Sequence, residues 1–232
     1  MARYHQDAKH PALVGIVGPK EQLGLSWRVA LLPYVGEGEL YKQFKLDEPW
    51  DSEHNKKLIP KMPYLYASPG KSAGTGKTYL RSFAGSNAFI PIAYPQEGNS
   101  PAYNPWAKLA PGTVAERNVI ASFTDGTAHT IFVAEAVEPT EWTNPNELPF
   151  LEESGWGQKA KPYPPPKLGG VFDGGFHAIM VDGRVHFFPD TLDEPTVRSL
   201  LTREGGEVQP DEVFYMIWPT GTPGRRPGST AR

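Results

Sequence analysis

The clearest alternation of apolar and polar positions lies in residues 171–189, VFDGGFHAIMVDGRVHFFP. Two runs, Phe176 to Val181 and Arg184 to Phe188, flank Asp182-Gly183. An Asp-Gly pair between alternating runs predicts a β-hairpin, because a two-residue type I′ loop needs positive φ at both central positions. With Asp182 and Gly183 as that loop, Val181 faces Arg184, Ile179 faces His186 and His177 faces Phe188. Period-two geometry then puts Phe176, Ala178, Met180, Val185 and Phe187 on a core face. His177, Ile179, Val181, Arg184, His186 and Phe188 share a mixed face.

Elsewhere the pattern is shorter and more broken. Residues 1–24 show little periodicity. LSWRVALLPY (25–34) is apolar and reads as a strand or a short helix. EGELYKQFKL (37–46) places Leu40, Phe44 and Tyr41 on one side of a short helix. Asp51 is a candidate N-cap for a second helix, DSEHNKKLIPKM, which Pro60 should end. Tyr64 to Ala67, Thr78 to Phe83 and Phe89 to Tyr94 read as short strands between Gly-, Pro-, Ser- and Asn-rich loops. Asp125-Gly126 marks a turn before a strand at Thr130 to Ala134. Residues 137–168 form a Pro-rich excursion, and excursions of that length usually carry function or move. Asp193 to Glu204 is a helix capped by Asp193, with Pro195 in its first turn and Gly205-Gly206 as its stop. Val213 to Trp218 is a last candidate strand, and 219–232 reads as a solvated tail. A single domain over 1–218 is the expected organisation.

Composition narrows the function classes. Among 232 residues there are 25 Pro and 24 Gly, yet aromatics reach 12%, so a compact core wrapped in irregular loops fits better than disorder. A net charge of −3 and a pI near 6.1 argue against nucleic acid or an anionic membrane as a general partner. Zero Cys removes disulfides, thiolate metal sites and a Cys nucleophile. No stretch is apolar for long enough to span a bilayer, and MARYHQDAKHPALVGIVG lacks a signal-peptide pattern.

Candidate chemistry is sparse. SAGTGKT (72–78) resembles a phosphate loop, but Lys71 stands where the first Gly belongs and a strand follows where a helix is needed, so it reads as a loop. His177 and His186, as diagonal neighbours on the mixed face, are candidate ligand-binding residues; the plainer reading is two hydrogen-bonded, half-buried histidines. No cofactor is expected. A Ca²⁺ site, were there one, would draw its oxygens from Asp125, Glu135, Glu138 and Glu141, which lack EF-hand spacing. Trp142 and Trp156 offer a sugar-stacking platform in the Pro-rich excursion, or else pin that loop to the core. Ser122, Ser154 and Ser199 lie in no G-x-S-x-G elbow.

Five stretches carry a family resemblance: LSWRVALLPYVGEGELYKQFKLDEPWDSEHNKKLIPKMP (25–63), GKTYLRSFAG (76–85), FTDGTAHTIFVAEAVEPTEWTNPNELPF (123–150), KLGGVFDGGFHAIMVDGRVHFFP (167–189) and the helix ending LLTREGGE. They resemble the prepilin-type H-x9-DG domain proteins of planctomycete bacteria, a family of unknown function similar to type II secretion pseudopilins. The signature His of that family, nine residues before the Asp-Gly, falls at Phe172 here, so its role does not carry over. The resemblance implies an α+β, pilin-like antiparallel sheet with short helices and long Pro/Gly-rich loops. It also implies a membrane-anchored, extracytoplasmic setting behind a prepilin leader and a long apolar helix, both lacking in this sequence. No enzymatic activity is implied. The expected function is a structural or envelope-associated domain working through contacts with other proteins or itself. The alternative is a solute- or glycan-binding domain using the 139–168 loop.

Overall fold

The computed structural model describes residues 12–19, 22–68, 71–72, 74–85, 88–90, 109–117, 123–150 and 166–203. Its strands are β1 (Ala12–Val17), β2 (Leu23–Ser26), β3 (Lys77–Arg81), β4 (Phe83–Ala84), β5 (Val114–Arg117), β6 (Ile131–Glu141), β7 (Leu148–Pro149), β8 (Gly175–Met180) and β9 (Val185–Pro189). The α-helices are short: α1 (Trp27–Ala30), α2 (Gly38–Tyr41) and α3 (Glu194–Leu201). Two antiparallel sheets, in the orders β2-β1-β5 and β3-β6-β8-β9, are joined by a small parallel pair, β4-β7. The fold is α+β. No helix among the described residues is long and apolar enough to cross a membrane.

Two cores meet along β6. Phe132 and Val133 join Val14, Ile16, Leu25, Trp27, Tyr66 and Trp142 in the first. Ile131 and Ala134 join Phe150, Phe176, Met180, Phe188, Leu200 and Leu201 in the second. A strand buried on both faces reads as a continuous apolar run, which is why IFVA shows no alternation. β6 runs on through Pro139 to Glu141, well past the predicted end at Ala134.

Other boundaries moved for local reasons. β1 occupies the supposedly featureless N-terminal segment and is the middle strand of its sheet, with Val14, Ile16 and Val17 buried. LSWRVALLPY contains both predicted forms, β2 passing directly into α1, with Ser26 Oγ accepting from the Arg28 N–H. Asp51 caps nothing: a 3₁₀ helix begins at Asn55 instead. The buried Asn55 amide takes the carbonyls of Lys45, Glu48 and Pro49 and the N–H of Lys45, so the preceding chain is wound as a loop around it. Tyr64–Tyr66 is 3₁₀ rather than strand, which lets the Tyr66 hydroxyl donate to the Arg28 carbonyl at 2.8 Å. α3 starts as expected, with the Asp193 carboxylate accepting from the Thr196 N–H, but it ends at Leu201, short of the predicted Glu204. Residues 213–218 and 219–232 lie outside the described residues.

The hairpin forms one residue out of the predicted register. Phe176 pairs with Phe188, His177 with Phe187, Ala178 with His186 and Ile179 with Val185. The Met180 N–H donates to the Arg184 carbonyl and the Gly183 N–H to the Met180 carbonyl, so the loop is Val181-Asp182-Gly183. Gly183, at φ 89°, supplies the left-handed residue of a three-residue loop. The cause is tertiary. Val181 is buried in the first core and its N–H donates to the Thr130 carbonyl, which draws it out of the ladder. A one-residue slip turns every side chain of the affected strand over. Phe176, Ala178 and Met180 are buried as expected, but Phe188 replaces Phe187 in the core and Val185 stands 62% exposed. Phe188→Ala should therefore destabilise the protein by about 3–5 kcal/mol. Val185→Thr should stay within about 0.5 kcal/mol. Urea unfolding of both variants checks this, and the reverse ranking would restore the two-residue loop.

Between the cores lies a buried ion pair. Arg28 and Glu147 are both fully shielded from solvent. Arg28 Nη1 donates to Glu147 Oε1 at 2.7 Å, and Nη2 donates to Oε2 at 3.3 Å and to the Leu80 carbonyl. Trp27 Nε1 donates to Oε1 at 3.0 Å and the Ser82 N–H to Oε2 at 2.8 Å. Arg81 Nε stands 3.4 Å from Oε2, while its Nη2 holds the Asn146 carbonyl. Removing one partner leaves an uncompensated buried charge. Glu147→Ala should cost about 3–5 kcal/mol. The Arg28→Met/Glu147→Leu double variant should be less destabilised than either single change, and additive losses in denaturant titrations would contradict this account.

Candidate functional site

The second sheet forks. β6 and β8 pair only as far as Ala134 opposite Ala178. Beyond that point β6 takes a new neighbour, a strap formed by residues 167–169. The Val137 N–H donates to the Lys167 carbonyl, the Gly169 N–H donates to the Glu135 carbonyl, and Ala136 bridges Leu168. Gly169 and Gly170, at φ 97° and 80°, let the strap turn away. β8 meanwhile stays paired with β9 up to Gly175 opposite Pro189.

Glu135 fills the fork. Its side chain is 7% exposed, and Oε2 accepts both the His177 backbone N–H at 2.8 Å and the ring Nδ1–H at 3.1 Å. The carboxylate thus replaces the backbone partner that β8 lost when the strands parted. A carboxylate oxygen accepts, so Nδ1 is the donor in this contact. The imidazole is 42% exposed at the side chain and lies edge-on between two phenyl rings, Phe172 at 4.8 Å and Phe187 at 5.0 Å. Phe172 reaches this position from the turn after the strap, bridging Gly175. Around the fork, Val137, Phe172 and Val185 are 45%, 41% and 62% exposed.

Only part of the predicted site gathers here. Glu135 and His177 come together, whereas His186 does not join them. The register shift pairs His186 with Ala178, on the opposite face, so the two histidines cannot converge on one ligand. Nor do the four acidic candidates meet: among the described residues no three His, Asp or Glu side chains gather as a metal-binding set. Glu135 is committed to His177, Glu141 stands opposite Lys77 in the ladder, Glu138 is exposed, and the Asp125 carbonyl receives His129 Nδ1. Trp142 is no stacking platform. It is wholly buried, stacks on Tyr66 at 5.8 Å, and its Nε1 donates to the Ile59 carbonyl. Trp156 lies outside the described residues. Asp182 and Gly183 are both in the turn, Asp182 Oδ1 accepting the Arg184 N–H. Phe172 and Phe187 were missed as site residues, since only the strap and the shifted register bring them to one imidazole.

The architecture is α+β, with antiparallel sheets and two cores that meet along one doubly buried strand. The chain belongs to the SBP_bac_10 family, described as "Protein of unknown function (DUF1559)", whose model matches residues 1–171. That span includes Glu135 and the strap and stops short of Phe172 and His177. No curated protein and no solved structure matches the chain.

Burial holds the His186 imidazole below its ordinary value of 6.5; Arg184 adds to the depression and Asp182 opposes it. A depressed folded-state value means that the neutral ring is the one the fold favours. His186 therefore contributes stability in full above pH about 6.5, and that contribution is lost as the pH falls toward the folded-state value. Melting temperatures of the wild type and His186→Gln should converge on acidification from pH 7.5 to 5. Parallel curves over that range would remove His186 from the pH response.

Proposed function

We propose that this chain is a non-enzymatic domain working through protein–protein contacts, a pseudopilin-like head associated with the cell envelope. The observation that carries the reading is the exposed apolar material around the fork: Val137, Phe172 and Val185, with His177 and Phe187 half-buried between them. Single exposed apolar residues are ordinary, but aromatic and β-branched side chains grouped on one sheet face suit a partner surface. The two buried carboxylates among the described residues, Glu135 and Glu147, also fit a structural role. Glu147 accepts from Arg28, Trp27 and Ser82, and Glu135 holds β8 where its ladder ends. A single domain over residues 1–218 with a tail at 219–232 belongs to the same reading.

In light scattering across a concentration series, the mass of the full chain should rise with concentration. Val185→Lys should return it toward the monomer without lowering the melting temperature. A monomer mass that stays constant throughout would overturn the reading.

A further inference from the structure

We propose that the fork between β6 and β8 binds an organic cation, the ammonium or guanidinium of a Lys or Arg side chain presented by a partner protein. This inference rests on the protein-contact reading and specifies what the partner must present.

The fork is lined by acceptors. Glu135 is 5% exposed, and the little exposure it keeps leaves Oε1 within reach of solvent. Here both bonds from His177 fall on Oε2, and among the described residues Oε1 accepts none. Beside it, the His177 ring is held by its Nδ1 against Glu135 and is partly open to solvent. An incoming cation would meet the open oxygen of a carboxylate, while an incoming carboxylate would lie against Glu135 and be repelled.

The surroundings suit the rest of such a side chain. Phe172 and Phe187 bracket the imidazole, and aromatic faces attract ammonium and guanidinium groups. Val137 and Val185 extend the apolar rim on which the aliphatic stem of a Lys or Arg can lie. The chain already holds one of its own cations in this manner. The Lys71 ammonium donates to the Gly170 carbonyl, next to the strap, and lies 5.7 Å from the centre of the Tyr79 ring.

The test uses the full chain, isotopically labelled, and three blocked tripeptides with Arg, Lys or Glu between two glycines. Ring resonances of His177, Phe172 and Phe187 should move saturably with the Arg and Lys peptides and stay still with the Glu peptide. Glu135→Gln should weaken binding at least about tenfold, the loss of one charge-assisted contact. Since Glu135 also supports β8, Phe172→Ala serves as a second variant. Its ring is exposed, so its melting temperature should hold while affinity falls about three- to fivefold. Shifts with the Glu peptide alone would overturn the proposal in favour of an anion on a protonated imidazole. No shift with any peptide at millimolar concentration would overturn it outright. Loss of peptide binding with concentration-dependent association intact would sink the cation site and leave the protein-contact reading standing. Peptide binding by a strict monomer would do the reverse.

Discussion

The Arg28–Glu147 pair is the constraint on which the rest of the molecule depends. Arg28 belongs to the helical turn that follows β2, in the first sheet, and Glu147 to the segment leading into β7. The bonds around the pair run to Leu80, Arg81 and Ser82, at the junction of β3 and β4. Three parts of the fold are thereby fixed by groups that cannot leave one another without stranding a charge in the interior. Apolar contacts alone tolerate sliding, because one methyl group substitutes for another. A guanidinium meeting both oxygens of a carboxylate tolerates much less, since its donors are fixed in a plane. The aromatic stack beside it, Trp27 on Tyr66 and Tyr66 on Trp142, extends the same rigid centre toward α2 through Phe44.

That centre leads on to the fork. β3 is anchored by its contacts with Arg28 and Glu147, and β3 pairs with β6 out to Glu141. β6 continues past Ala134 on the β3 side, with a shift of register between Glu135 opposite Leu80 and Thr140 opposite Thr78, while β8 follows β9 and parts from it. Two strands that diverge leave unpaired backbone groups on both sides. The strap answers for β6 and the Glu135 side chain answers for the His177 N–H. The dyad is thus first a repair of a split sheet. Its chemical interest arises because a carboxylate has two oxygens and the repair uses one.

Much of the fold was legible where a signal is local. Asp193 with Pro195 announced α3, Gly126 announced its turn, and Phe176, Ala178 and Met180 announced the inner face of β8. Signals failed where distant residues decided the outcome. Nothing within 171–189 shows that Val181 belongs to another core, so Asp-Gly was read as a two-residue loop and β9 was turned over. Nothing near Asp51 shows that Asn55 will gather three carbonyls. The site was legible only in its polar members. Glu135 and His177 stood out as chemistry-bearing residues, but their contact depends on where β6 and β8 part, which is a property of the sheet. Trp142 left two readings open, and its packing between Phe44 and Tyr66 agrees with the one in which it pins its loop to the core.

The matched span, residues 1–171, contains Arg28, Glu147, β6 and the strap, which are the parts that create the split. The groups that line its opening, Phe172, His177, Phe187 and Val185, follow that span. A rigid centre that forces two strands apart can be kept while the side chains around the opening change, because those side chains carry little of the packing energy. Phe172 and Val185 are exposed, and their replacement disturbs neither core. Glu135 is different, since it is buried inside the fork and bonded to the backbone of β8. On the proposed reading, replacing rim residues would alter what docks there, while the carboxylate beneath would keep its place at the opening.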